Sequence, residues 1–394
     1  MGKIDVLSGW ETLAKYLPPN YAALASDHRQ VETKFGNAKI RDADTLLRFI
    51  LLHVGADLPL RQTVAVMAEA GGPELSPMRL HKKMVRAAPY LRSLVERMVD
   101  WPVQGAPERW GGYVFSAVDA TVVCGPGAVG TDARIHTKLR VADASIASVE
   151  VTDETGGETF CRFAWKSGEL AVGDRAYFTP RGIQHVLDAT ADVLVRYRLD
   201  GVELQNATGN VIDVLDAVSH INIGETVDLD VMAKLPSRLA AGRLIAYRLP
   251  DDAVDRAREK MRREKGTDLS PRVFESAKYV LLFTTAPRSR LDANRCLQGY
   301  RLRWQIELQF KRWKSLCGFD LLPNWRTDTT LAWLYAKVLL GAMLDRMASI
   351  PTGLSPPDRR VPLENLAADV VRTLEADEHP LAVDDRRAAA VHAA

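Results

Sequence analysis

The sequence predicts an α/β protein: a mixed sheet with helices packed on it, interrupted by a β-rich segment and flanked by helical regions. Three observations carry this expectation. Residues before about Trp101 show only helical periodicity. From Gly111 onward, strand-like runs alternate with short helical pieces. A second strand-rich stretch, from Gly201 to about Tyr247, intervenes before a long amphipathic helix that starts near Arg290. The 394 residues are enough for two or three domains and a sizeable core.

Taken in order, residues 1–105 read as a helical region. Leu46, Leu47, Phe49, Ile50 and Leu51 are too densely apolar for an exposed helix, so that helix is expected to be buried. A Gly-Gly-Pro break then leads to Ser76-Pro77 and the helix MRLHKKMVRAA. Serine as N-cap with proline at the first helical position is a strong start signal. Helix, short turn and a second helix bearing Arg79, His81, Lys82, Lys83 and Arg86 make 60–87 a candidate helix-turn-helix for DNA. A helical bundle with a solvated basic face gives the same pattern.

At GGYVFSAVDATVVC the texture becomes β-rich, with Asp119 in mid-strand. A carboxylate in a buried strand is costly unless it is paired or binds a metal. Strands are expected near 137–142 and 145–152, then an amphipathic piece near 160–165. A short strand ending at Asp174 follows, then a helix begun by Thr179-Pro180, then the strand DVLVRYRL. Asp119 and Asp174 would therefore sit on neighbouring strands. Turn signals at 207–210 and at Ala241-Gly242 divide the β-rich segment 201–285. Beyond Pro323 the chain reads as helical, with a frayed end. Gly125, Gly127 and Gly130 spell the dinucleotide pattern G-x-G-x-x-G. The following TDARIHTKLRV lacks the helical stripe such a site needs, so a hairpin loop is expected there.

The stretch YRLRWQIELQFKRWK, 300–314, reads as one helix. At about 100° per residue, Tyr300, Arg303, Glu307, Lys311 and Lys314 fall within roughly 80° of arc. Leu302, Ile306, Phe310 and Trp313 form the adjacent apolar seam. A single acid in a row of cations suits a metal-binding carboxylate held against phosphates. Together with Asp119 and Asp174 it makes a set of three hard oxygen donors, the class that binds Mg²⁺.

The bulk properties exclude several classes. Net charge is +2, with 47% hydrophobic and 26% charged residues, so nucleic-acid affinity must come from local basic patches. Cys124, Cys161, Cys296 and Cys317 show no metal-finger spacing and read as reduced thiols. The first residues, MGKIDVLSGW, lack a signal-peptide core, and the most apolar window is too short for a bilayer. A chain without a membrane partner, in the cytoplasm, is expected.

These features resemble the DDE transposases of bacterial insertion sequences, in the subgroup marked Tyr-x2-Arg-x3-Glu-x6-Lys. Tyr300, Arg303, Glu307 and Lys314 match that pattern at every position, and VDATVV and GDRAYF resemble the other two acid sites. The resemblance covers about Gly111 to Leu344. It implies a ribonuclease-H-like core over 111–200 and 286–322, a β-rich insertion subdomain over 201–285, and a helical region over 323–394 for dimerisation. By the same resemblance, Asp119, Asp174 and Glu307 are catalytic and hold two Mg²⁺ ions, with Mn²⁺ able to substitute. Tyr300, Arg303, Trp304, Lys311 and Lys314 would bind DNA. The implied partners are double-stranded DNA, as transposon ends and target, and a second copy in a synaptic dimer associated with the nucleoid.

The implied reaction is cleavage by water at the transposon end, attack by the freed 3′-hydroxyl to form a hairpin, and insertion after the hairpin reopens. A hairpin calls for an extruded base and a stacking aromatic. No tryptophan lies between Trp165 and Trp304, which leaves Tyr247, Phe274 or Tyr279. The rival expectations are an impaired or domesticated relative acting as a DNA-binding repressor, and a ribonuclease-H-like DNA nuclease without strand transfer.

Overall fold

The structure, a computed structural model, describes residues 9–30, 39–100, 110–125, 133–265, 270–319, 322 and 327–348. Gly127 and Gly130, and the helical expectation beyond 348, lie outside the described residues. The amino-terminal helices are α1 (Trp10–Ala14), α2 (Tyr21–Asp27), α3 (Ala43–Gly55), α4 (Leu60–Glu69), α5 (Pro77–Arg86) and α6 (Ala88–Asp100). Then come β1 (Val114–Val123), β2 (Ala133–Arg140), β3 (Ser145–Asp153), β4 (Glu169–Gly173), α7 (Pro180–Asp188) and β5 (Asp192–Arg196). The strand-rich stretch holds β6 (Leu204–Gln205), α8 (Val214–Val218), β7 (Thr226–Lys234), β8 (Leu239–Arg248), α9 (Asp251–Lys265), α10 (Pro271–Ser276) and β9 (Tyr279–Thr284). Last are α11 (Ala293–Leu302), α12 (Trp304–Cys317) and α13 (Thr327–Ala348). Among the described residues no helix is long and apolar enough to cross a membrane.

The elements form two compact units. The first comprises the described residues of Met1–Val172, Asp188–Ala191 and Gln305–Pro357; the second, those of Gly173–Leu187 and Asp192–Trp304. In the first unit the strand order is β3-β2-β1-β4, antiparallel except for the parallel pair β1/β4. Among the described residues, the next element after Gly125 is a strand rather than a helix: β2 pairs antiparallel with β1. Helix α13 packs against α1, α3, α5, α6 and β3.

Local chemistry explains these elements. The Asp42 carboxylate caps α3 by accepting from the Thr45 amide at 2.6 Å, and α3 buries Leu46, Leu47, Phe49, Ile50 and Leu51. Ser76 accepts from the Arg79 amide at 3.3 Å with Pro77 at the start of α5. Strand β1 is buried on both faces from Phe115 to Val118. On one of those faces Lys138 forms a buried ion pair with Glu169 at 2.9 Å. The Lys138 ammonium also donates to the Ala164 carbonyl at 2.8 Å and lies 4.0 Å from the centre of the Trp165 ring. Ser116 of β1 donates to the same Glu169 at 3.3 Å.

In the second unit the strand order is β5-β9-β8-β7-β6, and the pairs β5/β9, β9/β8, β8/β7 and β7/β6 are antiparallel. The turn at 207–210 is built on Asn206, whose side-chain oxygen accepts from the amides of Thr208 and Asn210 at 3.0 Å each. Ala241-Gly242 is not a turn: it lies inside β8, and the β7/β8 hairpin turns where the Leu235 amide meets the Arg238 carbonyl at 2.9 Å. Gly242 serves close packing, since a β-carbon there would come within 2.6 Å of the Phe283 ring. Helix α11 packs against β5, β7 and β9. Its amino-terminal approach is fixed by Arg243, which is 4% exposed. That guanidinium pairs with Asp228 at 2.7 Å and donates to the carbonyls of Ala286 and Leu291 at 3.0 and 2.6 Å.

Two predictions follow from the packing of the first unit. Trp313 of α12 is buried and donates to Asp345 of α13 at 2.8 Å. A β-carbon on Gly341 would meet the Trp313 indole nitrogen at 2.8 Å, so Gly341→Ala should destabilise by about 1–3 kcal/mol through overpacking. A thermal melt unchanged by that substitution would contradict the packing. The second concerns His136, fully buried on β2 and hydrogen-bonded to the Thr152 hydroxyl at 3.0 Å. Burial, then Arg162 and Arg134, push its pKa down to about 4, whereas an unfolded histidine titrates near ~6.5. Its contribution is therefore fully present above that value and is lost as pH falls toward 4. His136→Gln should lose less melting temperature than the natural chain between pH 7 and pH 5, and equal losses would count against it.

Candidate active site and nucleic-acid interface

The parallel ladder of β1 and β4 runs from Val114↔Glu169 to Ala117↔Val172. Asp119 follows the last pair of that ladder by two residues within β1, and Asp174 follows it by two residues, just past the end of β4. Asp119, on β1, is half-buried rather than buried, and its Oδ1 accepts from the Ala120 amide at 2.8 Å. This partial exposure lowers the burial cost expected of a mid-strand carboxylate. Asp174 closes β4 and caps the following 3₁₀ turn, accepting from the Ala176 amide at 2.9 Å.

The stretch 300–314 is two helices, not one. Helix α11 ends at Leu302 and α12 begins at Trp304. Between them the Arg303 amide donates a hydrogen bond to the Tyr300 carbonyl at 3.1 Å, the i→i+3 tightening of a helix end. The single 80° stripe therefore does not run through position 303. Tyr300 and Arg303 belong to the second unit, while Glu307, Lys311 and Lys314 belong to the first.

On α12, Ile306, Phe310 and Trp313 are buried as the apolar seam expects. Glu307 sits half-buried in the first helical turn and Lys314 half-buried in the last, the arrangement the helix dipole favours. Lys311 is exposed, and Trp304 is 41% exposed.

Tyr300 and Arg303 are nearly absent from the surface, at 4% and 1% exposure. The Arg303 guanidinium lies 5.9 Å from the Tyr300 ring centre, within cation–π reach. Burial raises the pKa of the Tyr300 phenol; Arg303, Arg196 and Arg175 oppose that shift and Asp174 adds to it. The second unit thus places Asp174, Arg175, Arg196 and Arg303 within electrostatic reach of Tyr300. Strand β5, which ends at Arg196, packs against both α11 and the turn that Asp174 caps. Arg196 is itself only 6% exposed.

Arg175 and Arg196 are additions to the residues expected from sequence. Arg175 adjoins Asp174 in GDRAYF, a visible signal. Arg196 sits in a strand whose register with α11 is set only by the fold. Among the described residues no group of three or more His, Cys, Asp or Glu is placed to hold a metal ion. Asp119, Asp174 and Glu307 are individually hard oxygen donors with part of their surface in solvent, which is the donor class of a divalent cation.

On α5, Arg79, Lys82 and Arg86 are exposed at i, i+3 and i+7, one face of the helix. His81 turns inward, sharing a hydrogen bond with Thr329 at 3.2 Å, and Lys83 donates to the Gln30 carbonyl at 3.2 Å.

Residues 110–339 match the family described as "Transposase DDE domain". The chain is 30% identical over 318 residues to InsL of insertion sequence element IS186A from Escherichia coli (strain K12), covering 78% of this chain and 85% of the relative. It is 30% identical over 319 residues to the transposase for insertion sequence element IS421 of Escherichia coli, with the same coverage of 78% and 85%. The transposase for insertion sequence element IS231F of Bacillus thuringiensis subsp. israelensis is 27% identical over 208 residues, 48% of this chain and 43% of the relative. The chain therefore belongs to the DDE transposases of insertion sequences: it is a DNA transposase, of a family that depends on divalent metal.

Proposed function

We propose that this transposase binds terminal inverted repeats, cuts the DNA ends and joins them to target DNA, with Asp119, Asp174 and Glu307 as its catalytic carboxylates. The observation that supports this reading is the β1/β4 register: Asp119 and Asp174 each follow its last pair, Ala117↔Val172, by two residues in sequence. Their donor chemistry fits two Mg²⁺ ions, or Mn²⁺ in their place. Bound there, the ions would supply positive charge to the attacking and leaving oxygens of an in-line displacement.

The protein's own groups do the rest. Asp119 keeps one oxygen hydrogen-bonded to its neighbouring amide, and Asp174 keeps one hydrogen-bonded within its turn. Tyr300, with its pKa raised, keeps its proton and can donate to a phosphate oxygen. Arg303, Arg175 and Arg196, each within electrostatic reach of Tyr300, supply the charge that draws a phosphate to that donor. Lys314, Lys311 and Trp304 present cations and an indole face to the same DNA. The exposed row Arg79, Lys82 and Arg86 on α5 is the proposed contact of the helical region 1–105 with the ends, and residues 323–394 are the proposed dimerisation region.

A hairpin intermediate requires a stacking aromatic. Of the three candidates, Tyr247 and Tyr279 are buried, at 3% and 5% exposure. Phe274 retains surface and has the Arg262 guanidinium 5.3 Å from its ring centre. Phe274 is therefore the proposed platform.

Cleavage of labelled end DNA with Mg²⁺, resolved on denaturing gels, tests this reading. Asp119→Asn, Asp174→Asn and Glu307→Gln are each expected to abolish cleavage while leaving end binding intact. Full cleavage by any one of them removes that residue from the site, and nicks without joined products would favour a nuclease. Replacing Lys314 with alanine should reduce the log–log salt slope of complex formation by about one. An unchanged slope would make Lys314 a solvated lysine.

A further inference from the structure

Thr137 stands directly across from Asp119 in the antiparallel ladder of β1 and β2. Paired residues project from the same face of a sheet, with β-carbons about 4.5–5.5 Å apart. On its other side Thr137 faces Val149 of β3. Of the two residues directly opposite it, only Asp119 is polar. Thr137 is fully buried, and its hydroxyl has no hydrogen-bond partner among the described residues.

An unpaired buried hydroxyl costs about 1–3 kcal/mol. Valine would fill the same volume without that cost. Threonine here makes physical sense if its hydroxyl has work to do on the one polar group it faces. The Asp119 carboxylate is already steered by the Ala120 amide at 2.8 Å on Oδ1. A hydroxyl from the neighbouring strand would fix the remaining rotation about its side chain.

We propose that Thr137 is a positioning residue for the metal-binding carboxylate, donating its hydroxyl to Asp119 when that group carries a divalent cation. The inference rests on the assignment of Asp119 to the metal site. Hydrogen bonds that orient a ligand group are worth about 10–100-fold in metal affinity or activity.

The test uses the full chain and four variants: Thr137→Val, Thr137→Ser, Thr137→Ala and Asp119→Asn. The readouts are Mn²⁺ binding by calorimetry, thermal melting, and end cleavage as a function of Mg²⁺ concentration. Thr137→Val should melt at or above the natural temperature, bind Mn²⁺ about 10-fold more weakly or worse, and require correspondingly more Mg²⁺ for half-maximal cleavage. DNA-end binding should not change. Thr137→Ser should restore natural metal affinity, and Thr137→Ala, which alters packing differently, should show the same metal shift as valine. If Thr137→Val binds Mn²⁺ as the natural chain does while Asp119→Asn does not, the positioning role is wrong and the site assignment stands. If Asp119→Asn keeps natural Mn²⁺ affinity, the assignment of Asp119 fails and this inference fails with it.

Discussion

Behind β1, on the face opposite Asp119, Lys138 lies almost wholly out of water with its ammonium held by Glu169, the Ala164 carbonyl and the Trp165 ring. Burial lowers the pKa of Lys138 and Glu169 opposes the shift. Removing one partner of such a pair costs about 3–5 kcal/mol, because the other charge is left buried and alone. The pair joins β2 to β4, and Ser116 hydrogen-bonds Glu169 from β1 between them. Three strands are thereby locked in one register, and that register sets where Asp119 falls. The face that carries Asp119 depends on charge compensation on the opposite face.

The second unit meets the same constraint with arginine. Arg243 pairs with Asp228 and holds the carbonyls of Ala286 and Leu291, so the chain leading into α11 has a fixed path from β8. Arg288 adds bonds to Asp228 and Asp230 at 3.0 and 2.6 Å. With the start of α11 fixed, its far end carries Tyr300 and Arg303 into the region of Asp174, Arg175 and Arg196. Planar guanidinium groups suit both tasks, since each can satisfy several acceptors in fixed directions.

Much of this was legible in the sequence because local chemistry decided it. Ser76-Pro77 starts α5, β1 spans the run around Asp119, and Thr179 accepts from the Gly182 amide at 3.2 Å where a helix start was expected. The failures have a common cause. Gly242 looked like a turn because glycine permits one, but its lack of a side chain is used to admit the Phe283 ring. The helix break at Arg303 was hidden because the residues on both sides favour helix, and no proline or glycine marks it. Arg303 and Arg196 carry charge and so read as surface residues, yet both are buried. Periodicity reports which face of an element is apolar, and it is silent about charged groups buried by tertiary contacts. Thr137 shows the same limit: an unpaired buried hydroxyl exists only once the register is known.

In this transposase the strands at Asp119 and Asp174 are tied together by the buried Lys138–Glu169 pair, and the start of α11 by Arg243. The central claim is that Asp119, Asp174 and Glu307 together hold the metal. Anomalous scattering from Mn²⁺ in crystals of the complex with end DNA tests it most directly. Mn²⁺ peaks coordinated by oxygens of all three carboxylates beside the scissile phosphate are expected. Peaks bound elsewhere, or a site that leaves any of the three acids uncoordinated, would contradict it.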